Sequence, residues 1–206
     1  SIVTFTGNGS SSATVGHGLD QVPEFIIQKR RDSTNDWQVS FKDIGVGYLN
    51  YTDAFGTSGG SNGRLSYTGN TSTYYTWLAG SSTVNSVNAS GATYVSYCFH
   101  SVEGFSRFSS YQGNGSSSDG TFVYTGFRPA FVMIKNISAS STLWLMFDSA
   151  RDTDNVVNNH IQANSNNADS SFPFMDFVSN GFKHRHNSSH TNTSGQTYIY
   201  MAFAEQ

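Results

Sequence analysis

The chain has 206 residues with a formal net charge of −3, and only 12% of its residues are charged. This low charge argues against nucleic acids and membrane surfaces as partners, because both attract proteins through a basic face. No apolar run is long enough for a transmembrane helix, so membrane insertion is not expected. The single cysteine, Cys98, excludes an internal disulfide, and its apolar neighbours indicate a buried structural thiol. Aromatic residues, 15% of the chain, combine with many Ser, Thr, Asn and Gly residues to favour strands and turns over helices.

The first half of the chain contains the hexapeptide GNGSSS at residues 7–12. It predicts a tight turn, because Gly permits positive φ and Asn and Ser form local hydrogen bonds, and it lacks the lysine of a phosphate-binding loop. The apolar run PEFIIQK at 23–29 is too short for a helix and predicts a strand. Asn62-Gly63 predicts a hairpin turn, and TYVSYCFH at 93–100 predicts a central strand covered on both faces.

The second half contains the same kinds of signal. PAFVMIK at 129–135 predicts a strand, and TYIYMAFAE at 197–205 predicts another central strand. Residues 153–170 show no regular spacing of apolar residues and predict mostly loop. Asn180-Gly181, between FMDFV and FKHR, predicts a hairpin turn.

The two halves match each other at a nearly constant spacing. The second GNGSSS, at 113–118, and PAFVMIK both align with their first-half counterparts after a shift of 106 positions. NASGATYV at 88–95 aligns with NTSGQTYI at 192–199 after a shift of 104. We therefore predict an all-β protein of two tandem β-sandwich or jelly-roll-like units, residues 1–102 and 103–206, related by internal duplication. The sequence leaves open whether these units are separate domains or share one continuous sandwich.

These segments also resemble a module that recurs in structural proteins of tailed bacteriophages, especially marine ones. The resemblance is carried by GNGSSSDGTFVYTGFRPAFVMIK, SARD, DFVSNGFKHR and NTSGQTYIYMAFAE, and in the first half by VGHGLDQVPEFIIQKRRDSTNDW and SGATYVSYCFHSVEGFSRFSSYQGNGS. It implies a virion protein of fibre-like or adhesin-like chains and brings no catalytic signature. Residues 184–190 depart from the usual pattern of the module, in which three histidines are not expected.

The resemblance and the composition together predict a non-enzymatic phage virion protein that serves as a fibre, spike or surface-decoration component. Its expected location is the virion or the extracellular space, and its expected partners are other virion proteins and further copies of itself. A host-surface glycan is the candidate ligand, and no cofactor is expected. No clustered pair of carboxylates and no nucleophile elbow indicates a hydrolase. Two alternatives stay open: a purely structural decoration or fibre-shaft protein without a ligand, and a secreted bacterial lectin or adhesin.

The candidate ligand-binding residues are Tyr74, Tyr75 and Trp77 in the segment STYYTWLAG. Aromatic rings pack against the C–H faces of sugars, and Trp77 has no counterpart in the second half. An aromatic residue in a β protein is more often part of the packing or of an interface. Trp37 and Trp144 recur in both halves and are expected in the core.

The candidate metal-binding residues are His184, His186 and His190. On a strand the first two share a face, and the third returns to them from a turn, so the imidazoles form a possible ligand set for a divalent metal. No Asp or Glu lies between residues 177 and 204 to support them, so the segment also fits an exposed loop.

Overall fold

The computed structural model shows an all-β protein, with no helix among the residues that it describes. No described segment is therefore a helix with the length and hydrophobicity needed to cross a membrane. For Arg64, Trp77 and Leu78 the backbone alone is described. The described residues are 1–11, 13–50, 55, 64–66, 69–78 and 86–205.

The contacts divide the chain into two compact units. The first comprises Ser1–Leu49 and Phe55–His100, and the second consists mainly of Ser101–Gln206. The change from one unit to the other lies two residues before the boundary that the sequence predicts.

The first unit is built around a five-stranded antiparallel sheet. This sheet has the order β1-β9-β3-β4-β5, while β2 pairs with β7 and β6 pairs with β8. The strands are β1 Ile2–Thr6, β2 Val15–Gly16, β3 Phe25–Arg30, β4 Gln38–Phe41, β5 Gly45–Tyr48, β6 Arg64–Leu65, β7 Tyr74–Tyr75, β8 Trp77–Leu78 and β9 Thr93–Phe99.

The second unit contains one eight-stranded sheet that curls into a nearly closed barrel. Its order is β10-β17-β12-β13-β14-β15-β16-β11, so that β10 and β11 are the two edge strands. The strands are β10 Ser106–Gln112, β11 Phe122–Tyr124, β12 Pro129–Asn136, β13 Trp144–Asp148, β14 Val157–Gln162, β15 Ser170–Val178, β16 Gly181–His184 and β17 Thr197–Ala204.

Corresponding strands have corresponding neighbours in the two units. The order β1-β9-β3-β4-β5 of the first unit is matched by β10-β17-β12-β13-β14 in the second. The neighbouring strands are antiparallel in both sequences. The β2–β7 pair is likewise matched by the β11–β16 pair.

Each unit has its own apolar core, in which alternate residues of the strands point inward. In the second unit Ile134, Leu145 and Phe147 are fully buried inside the barrel. In the first, Ile26, Leu65 and Cys98 belong to a smaller core. Burying a large apolar side chain contributes about 1.5–3 kcal/mol, so these cores stabilise both units in the absence of a disulfide. The burial expected for Cys98 is confirmed, and it raises the pKa of the thiol to about 12.

The strands that the apolar runs predict are all present, as β3, β9, β12 and β17, and both predicted central strands lie between two neighbours. A hairpin forms where it is predicted, since β15 and β16 pair through Val178 and Gly181. Its two-residue loop is Ser179-Asn180, one residue before the predicted Asn180-Gly181 turn, and Gly181 begins β16. The turn predicted at Asn62-Gly63 lies outside the described residues.

The loop predicted over residues 153–170 is wrong in its middle, where β14 forms. Its sequence VNNHIQ contains no alternation of apolar and polar residues that indicates a strand. The strand exists because β13 and β15 flank it and supply backbone partners, while Val157 and His160 fill inward positions. Tertiary pairing therefore overrides weak local propensity at this point.

Candidate functional site

The first GNGSSS segment is joined to Asn88, which lies 80 residues further along the chain. Asn88 Nδ2 donates hydrogen bonds to Asn8 Oδ1 at 2.7 Å and to the Ser10 carbonyl at 2.8 Å. In return, the Asn8 N–H donates to Asn88 Oδ1 at 3.1 Å. Gly9 has φ 76°, the left-handed conformation that glycine permits.

The second GNGSSS segment repeats these contacts with Asn192. Asn192 Nδ2 donates to Asn114 Oδ1 at 3.2 Å and to the Ser116 carbonyl at 3.0 Å. The Asn114 N–H donates to Asn192 Oδ1 at 3.1 Å, and Gly115 has φ 71°. The predicted turn conformation is therefore confirmed in both segments. In both segments the polar groups of the turn are hydrogen-bonded to the buried asparagine. The motif therefore stabilises the fold and does not form a ligand-binding loop.

The first glycine of each segment is required for close packing. A Cβ atom on Gly7 would lie 2.1 Å from the Ala89 carbonyl oxygen, and one on Gly113 would lie 2.3 Å from the Thr193 carbonyl oxygen. Both distances are far below van der Waals contact with rigid backbone atoms. The two turns therefore depend on glycine for the same steric reason.

The structure separates the three predicted ligand-binding aromatic residues. Tyr75 is fully buried, and its hydroxyl contacts Gln28 Oε1 at 3.0 Å and Ser96 Oγ at 2.6 Å. Burial also raises the pKa of the Tyr75 hydroxyl. Tyr75 is thus a core residue that no surface ligand reaches, contrary to the sequence-based prediction. Tyr74 is half-buried on the opposite face of β7, and the side chain of Trp77 lies outside the described residues.

The three predicted metal ligands also have different surroundings. His184 is fully buried between the rings of Tyr111 and Phe182, and burial lowers its pKa to about 3. The ring of His186 packs edge-on against Phe172 with the centroids 4.4 Å apart.

The third histidine, His190, accepts a hydrogen bond at Nδ1 from the Leu143 N–H at 3.2 Å, and burial lowers its pKa. Among the described residues, no three His, Cys, Asp or Glu side chains are grouped to hold a metal ion. The three histidines are therefore divided among the core, an aromatic contact and a polar contact, because the inward face of β16 places His184 in the core.

The recurring tryptophans each lie beside a lysine. Lys29 Nζ lies 6.0 Å from the centroid of the Trp37 ring, and Lys135 Nζ lies 5.9 Å from that of Trp144. Trp144 is buried, as expected, whereas Trp37 is half-buried and stacks on Tyr97. The lysine–tryptophan pair is therefore part of the scaffold of both units.

A surface groove of the second unit lies where its sheet nearly closes. It has a volume of about 330 Å³ and is lined by residues from β10, from β11 and from the turn before β10. We call it the Arg107–Tyr124 groove; its lining residues are Ser101, Val102, Glu103, Gly104, Ser106, Arg107, Tyr124, Thr125 and Gly126.

The groove combines an exposed aromatic ring with two charged side chains. Tyr124 is 56% exposed, and the guanidinium carbon of Arg107 lies 5.9 Å from its ring centroid. Arg107 and Glu103 are exposed, and neither forms an ion pair with any described residue. Such a surface offers one ring face, several N–H donors and a carboxylate acceptor to a ligand.

Sequence reasoning did not identify this groove, although a weak signal was present. In TFVYTG the aromatic residues Phe122 and Tyr124 flank Val123, so alternation on a strand places both rings on the face opposite to the buried valine. Arg107 lies on β10, and no local pattern predicts that β10 and β11 come together.

Comparison with known proteins places the chain in a family. No curated protein matches the chain, and no solved structure matches it. One family model matches it along its whole length, over residues 1–206. The chain belongs to the family described as "Domain of unknown function (DUF7483)".

Proposed function

We propose that the chain is a non-enzymatic structural protein of a bacteriophage virion, a fibre, spike or surface-decoration component that assembles through the free edge of β1. The observation that carries this proposal is the set of outward backbone groups of β1. The resemblance to phage structural modules and the low charge support a role among other virion proteins, in the virion or the extracellular space.

We also infer that the two units arose by duplication of one β unit. The repeated turn contacts and the repeated strand order support this inference. A further parallel is that Phe5 stacks on Tyr94 at 5.0 Å while Tyr111 stacks on Tyr198 at 5.1 Å, each with an interplanar angle of 14°. Duplicated units suit a virion component, because repeating one folded module produces a larger surface without requiring a second kind of fold.

The strand β1 lies at the edge of the first unit's sheet. The Gly7 N–H donates to the Ala92 carbonyl, so the odd-numbered residues of this strand exchange hydrogen bonds with β9. The N–H and C=O groups of Ile2, Thr4 and Thr6 therefore point away from β9. Within the described part of the chain they have no hydrogen-bond partner.

The corresponding edge of the second unit is covered by hydroxyl groups. On β10, the Phe108 N–H donates to Ser101 Oγ at 3.1 Å, and the Gln112 carbonyl accepts from Thr121 Oγ1 at 3.1 Å. These hydroxyl groups are hydrogen-bond partners of outward backbone groups on β10, whereas the corresponding backbone groups of β1 have no partner among the described residues. As far as the described residues show, the first unit therefore has a strand edge with unpaired outward backbone groups.

The chemistry of β1 suits pairing with a second copy of the chain. Edge strands are normally protected by Lys, Pro or a bulge, whereas β1 exposes Ile2, Thr4 and Thr6, and Ile2 is 70% exposed. No Asp, Glu, Lys or Arg lies within residues 1–19. Two antiparallel copies related by a two-fold axis at Thr4 bring Ile2 opposite Thr6 without opposing like charges.

The test is the oligomeric state of the purified chain, measured by analytical ultracentrifugation over a range of concentrations. We expect an oligomer that Thr4→Pro dissociates, because proline removes an outward N–H without removing a β1–β9 hydrogen bond. Ser110→Pro makes the same change on β10 and should leave the oligomer intact. A monomeric wild type, or an oligomer that persists in Thr4→Pro, would overturn the role of β1.

Glycan binding is a second candidate function, favoured by the exposed ring and charges of the Arg107–Tyr124 groove. A surface adhesin of a phage and a secreted bacterial lectin would both use such a groove. A purely structural decoration or fibre-shaft protein would not use the groove. A measurement of sugar binding therefore distinguishes the structural protein from the adhesin and the lectin.

A further inference from the structure

We infer that the Arg107–Tyr124 groove binds one terminal pyranose ring of a glycan, with Tyr124 as the stacking platform and Arg107 and Glu103 as partners of the hydroxyl groups. This inference develops the proposed glycan binding and moves it from the Tyr74–Trp77 segment to the second unit. It does not depend on assembly through β1.

The backbone that carries the Tyr124 ring is held in place by its surroundings. The Tyr200 hydroxyl donates a 3.3 Å hydrogen bond to the Tyr124 carbonyl, and β11 pairs with β16 through Tyr124 and Gly181. A Cβ atom on Gly126 would lie at an ordinary contact distance of 3.5 Å from the Tyr124 hydroxyl oxygen, so the backbone at Gly126 lies near the end of the ring. Because this backbone is already ordered, a ligand that packs on the ring has to order only the side chain.

The Glu103 side chain projects from a tight turn before β10. The Val102 N–H donates to the Ser106 carbonyl at 3.0 Å, and the Phe105 N–H donates to the Val102 carbonyl at 3.0 Å. Gly104 has φ 73°, which permits this turn. Both walls of the groove are therefore formed before a ligand arrives, as in most small-molecule sites.

The lining of the groove matches the chemistry of a pyranose. Each sugar ring has an apolar C–H face, which packs on an aromatic ring, and equatorial hydroxyls that both donate and accept hydrogen bonds. Arg107 supplies only donors and Glu103 supplies only acceptors, so adjacent hydroxyls satisfy both. The volume of about 330 Å³ lies at the lower end of ligand sites and suits one ring with part of its neighbour.

The same lining argues against two other ligand classes. One arginine and one glutamate leave the groove without the surplus of positive charge that a phosphate-rich or polyanionic ligand requires. Glu103 is the single carboxylate side chain among the lining residues, whereas glycoside hydrolysis commonly requires two. The groove therefore suits binding of a neutral sugar without its cleavage.

The experiment is a glycan array screened with the intact chain, followed by titration of the best monosaccharide glycoside by protein-observed NMR. We expect binding to a class of neutral terminal pyranosides, with affinity reduced at least about tenfold by Tyr124→Ala and by Arg107→Met, in line with the loss of a central contact. Phe122→Ala is the matched control, because Phe122 is exposed on the same face of β11 but does not line the groove. The affinity of Phe122→Ala for the monosaccharide should stay within about twofold of the wild-type value.

Three outcomes would overturn the inference: no glycan is bound, binding survives Tyr124→Ala, or free amino acids and peptides occupy the groove in place of sugars. Thermal unfolding of each variant shows that the fold is intact, since the substituted side chains are exposed. Thr4→Pro should bind the monosaccharide as wild type does, because the groove and β1 lie in different units. Failure of assembly and failure of sugar binding are therefore distinguishable.

Discussion

Asn88 Nδ2 lies 2.7 Å from Asn8 Oδ1, and this contact helps to join the start of the first unit to the residues before its last strand. In the second unit Asn192 and Asn114 form the same contact at 3.2 Å. Each buried asparagine side chain donates to the turn and accepts from it. At this size only the asparagine amide offers two N–H donors beside a separate carbonyl acceptor.

Replacing Asn192 with aspartate should therefore destabilise the second unit. Asn192→Asp keeps the shape but removes the donor that serves Asn114, Ser116 and the His186 carbonyl. We expect a loss of about 2–4 kcal/mol in the free energy of unfolding at pH 7, measured by urea denaturation. Asn187→Asp, at an exposed position nearby, should change it by less than about 0.5 kcal/mol. Equal effects of the two variants would contradict the structural role of Asn192.

Gly113→Ala should destabilise the chain by a steric mechanism. The added Cβ would lie 2.3 Å from the Thr193 carbonyl oxygen, and the backbone there is held by the turn. We expect a loss of about 2–3 kcal/mol in denaturant unfolding. Gly16→Ala is the control, because its Cβ would meet the Thr73 carbonyl oxygen at an ordinary 3.6 Å. A Gly113→Ala protein as stable as Gly16→Ala would show that the turn can open without cost.

The free energy of unfolding should decrease as the pH is lowered, because the buried His184 resists protonation. Its folded-state pKa, lowered to about 3 by burial, lies below the unfolded value near 6.5, so the unfolded chain binds a proton that the folded chain excludes. The neutral folded form is therefore most stable above pH 6.5 and loses stability as the pH falls from 6.5 towards 3. His184→Phe should remove this contribution, and the stability of wild type relative to the variant should drop by up to about 1.4 kcal/mol per pH unit within that range.

The same variant also tests the packing of His184 at neutral pH. Neither ring nitrogen of His184 has a hydrogen-bond partner among the described residues. Replacement by phenylalanine should therefore raise the free energy of unfolding by about 1–2 kcal/mol, because an unsatisfied buried polar group is removed. Parallel pH profiles of wild type and variant would refute the proposed titration.

Tyr75→Phe distinguishes a core role from a ligand role. Loss of the hydroxyl leaves Gln28 and Ser96 without a shared partner, so we expect about 1–2 kcal/mol of destabilisation in thermal or urea unfolding. Sugar affinity should not change. Tyr97→Phe is the control, since the half-buried Tyr97 ring stacks on Trp37 and its hydroxyl contributes no hydrogen bond among the described residues. A loss of ligand binding in Tyr75→Phe without a loss of stability would restore Tyr75 as a ligand contact.

The sequence predicted the elements of the fold where local physics is strong. Apolar runs after proline identified β3 and β12, and the aromatic runs identified the central strands β9 and β17. Polar β14 was missed because its Asn-rich sequence has no strand preference of its own, and its neighbours supply the pairing. The candidate site was predicted less well, because strand alternation fixes that Tyr74 and Tyr75 face opposite sides but not which side is the core.

The sequence by itself determined the all-β class, the glycine turns and the buried thiol of Cys98, because φ preference, strand propensity and hydrophobicity act over a few residues. The tertiary structure alone decided that His184 enters the core and that Tyr75 is inaccessible. It also decided that Arg107 and Tyr124 share a groove. These two residues lie on the opposite edge strands of one sheet, and they meet because the sheet curls until its edges approach. Curvature of this kind results from the summed twist and packing of all eight strands, which no short segment encodes.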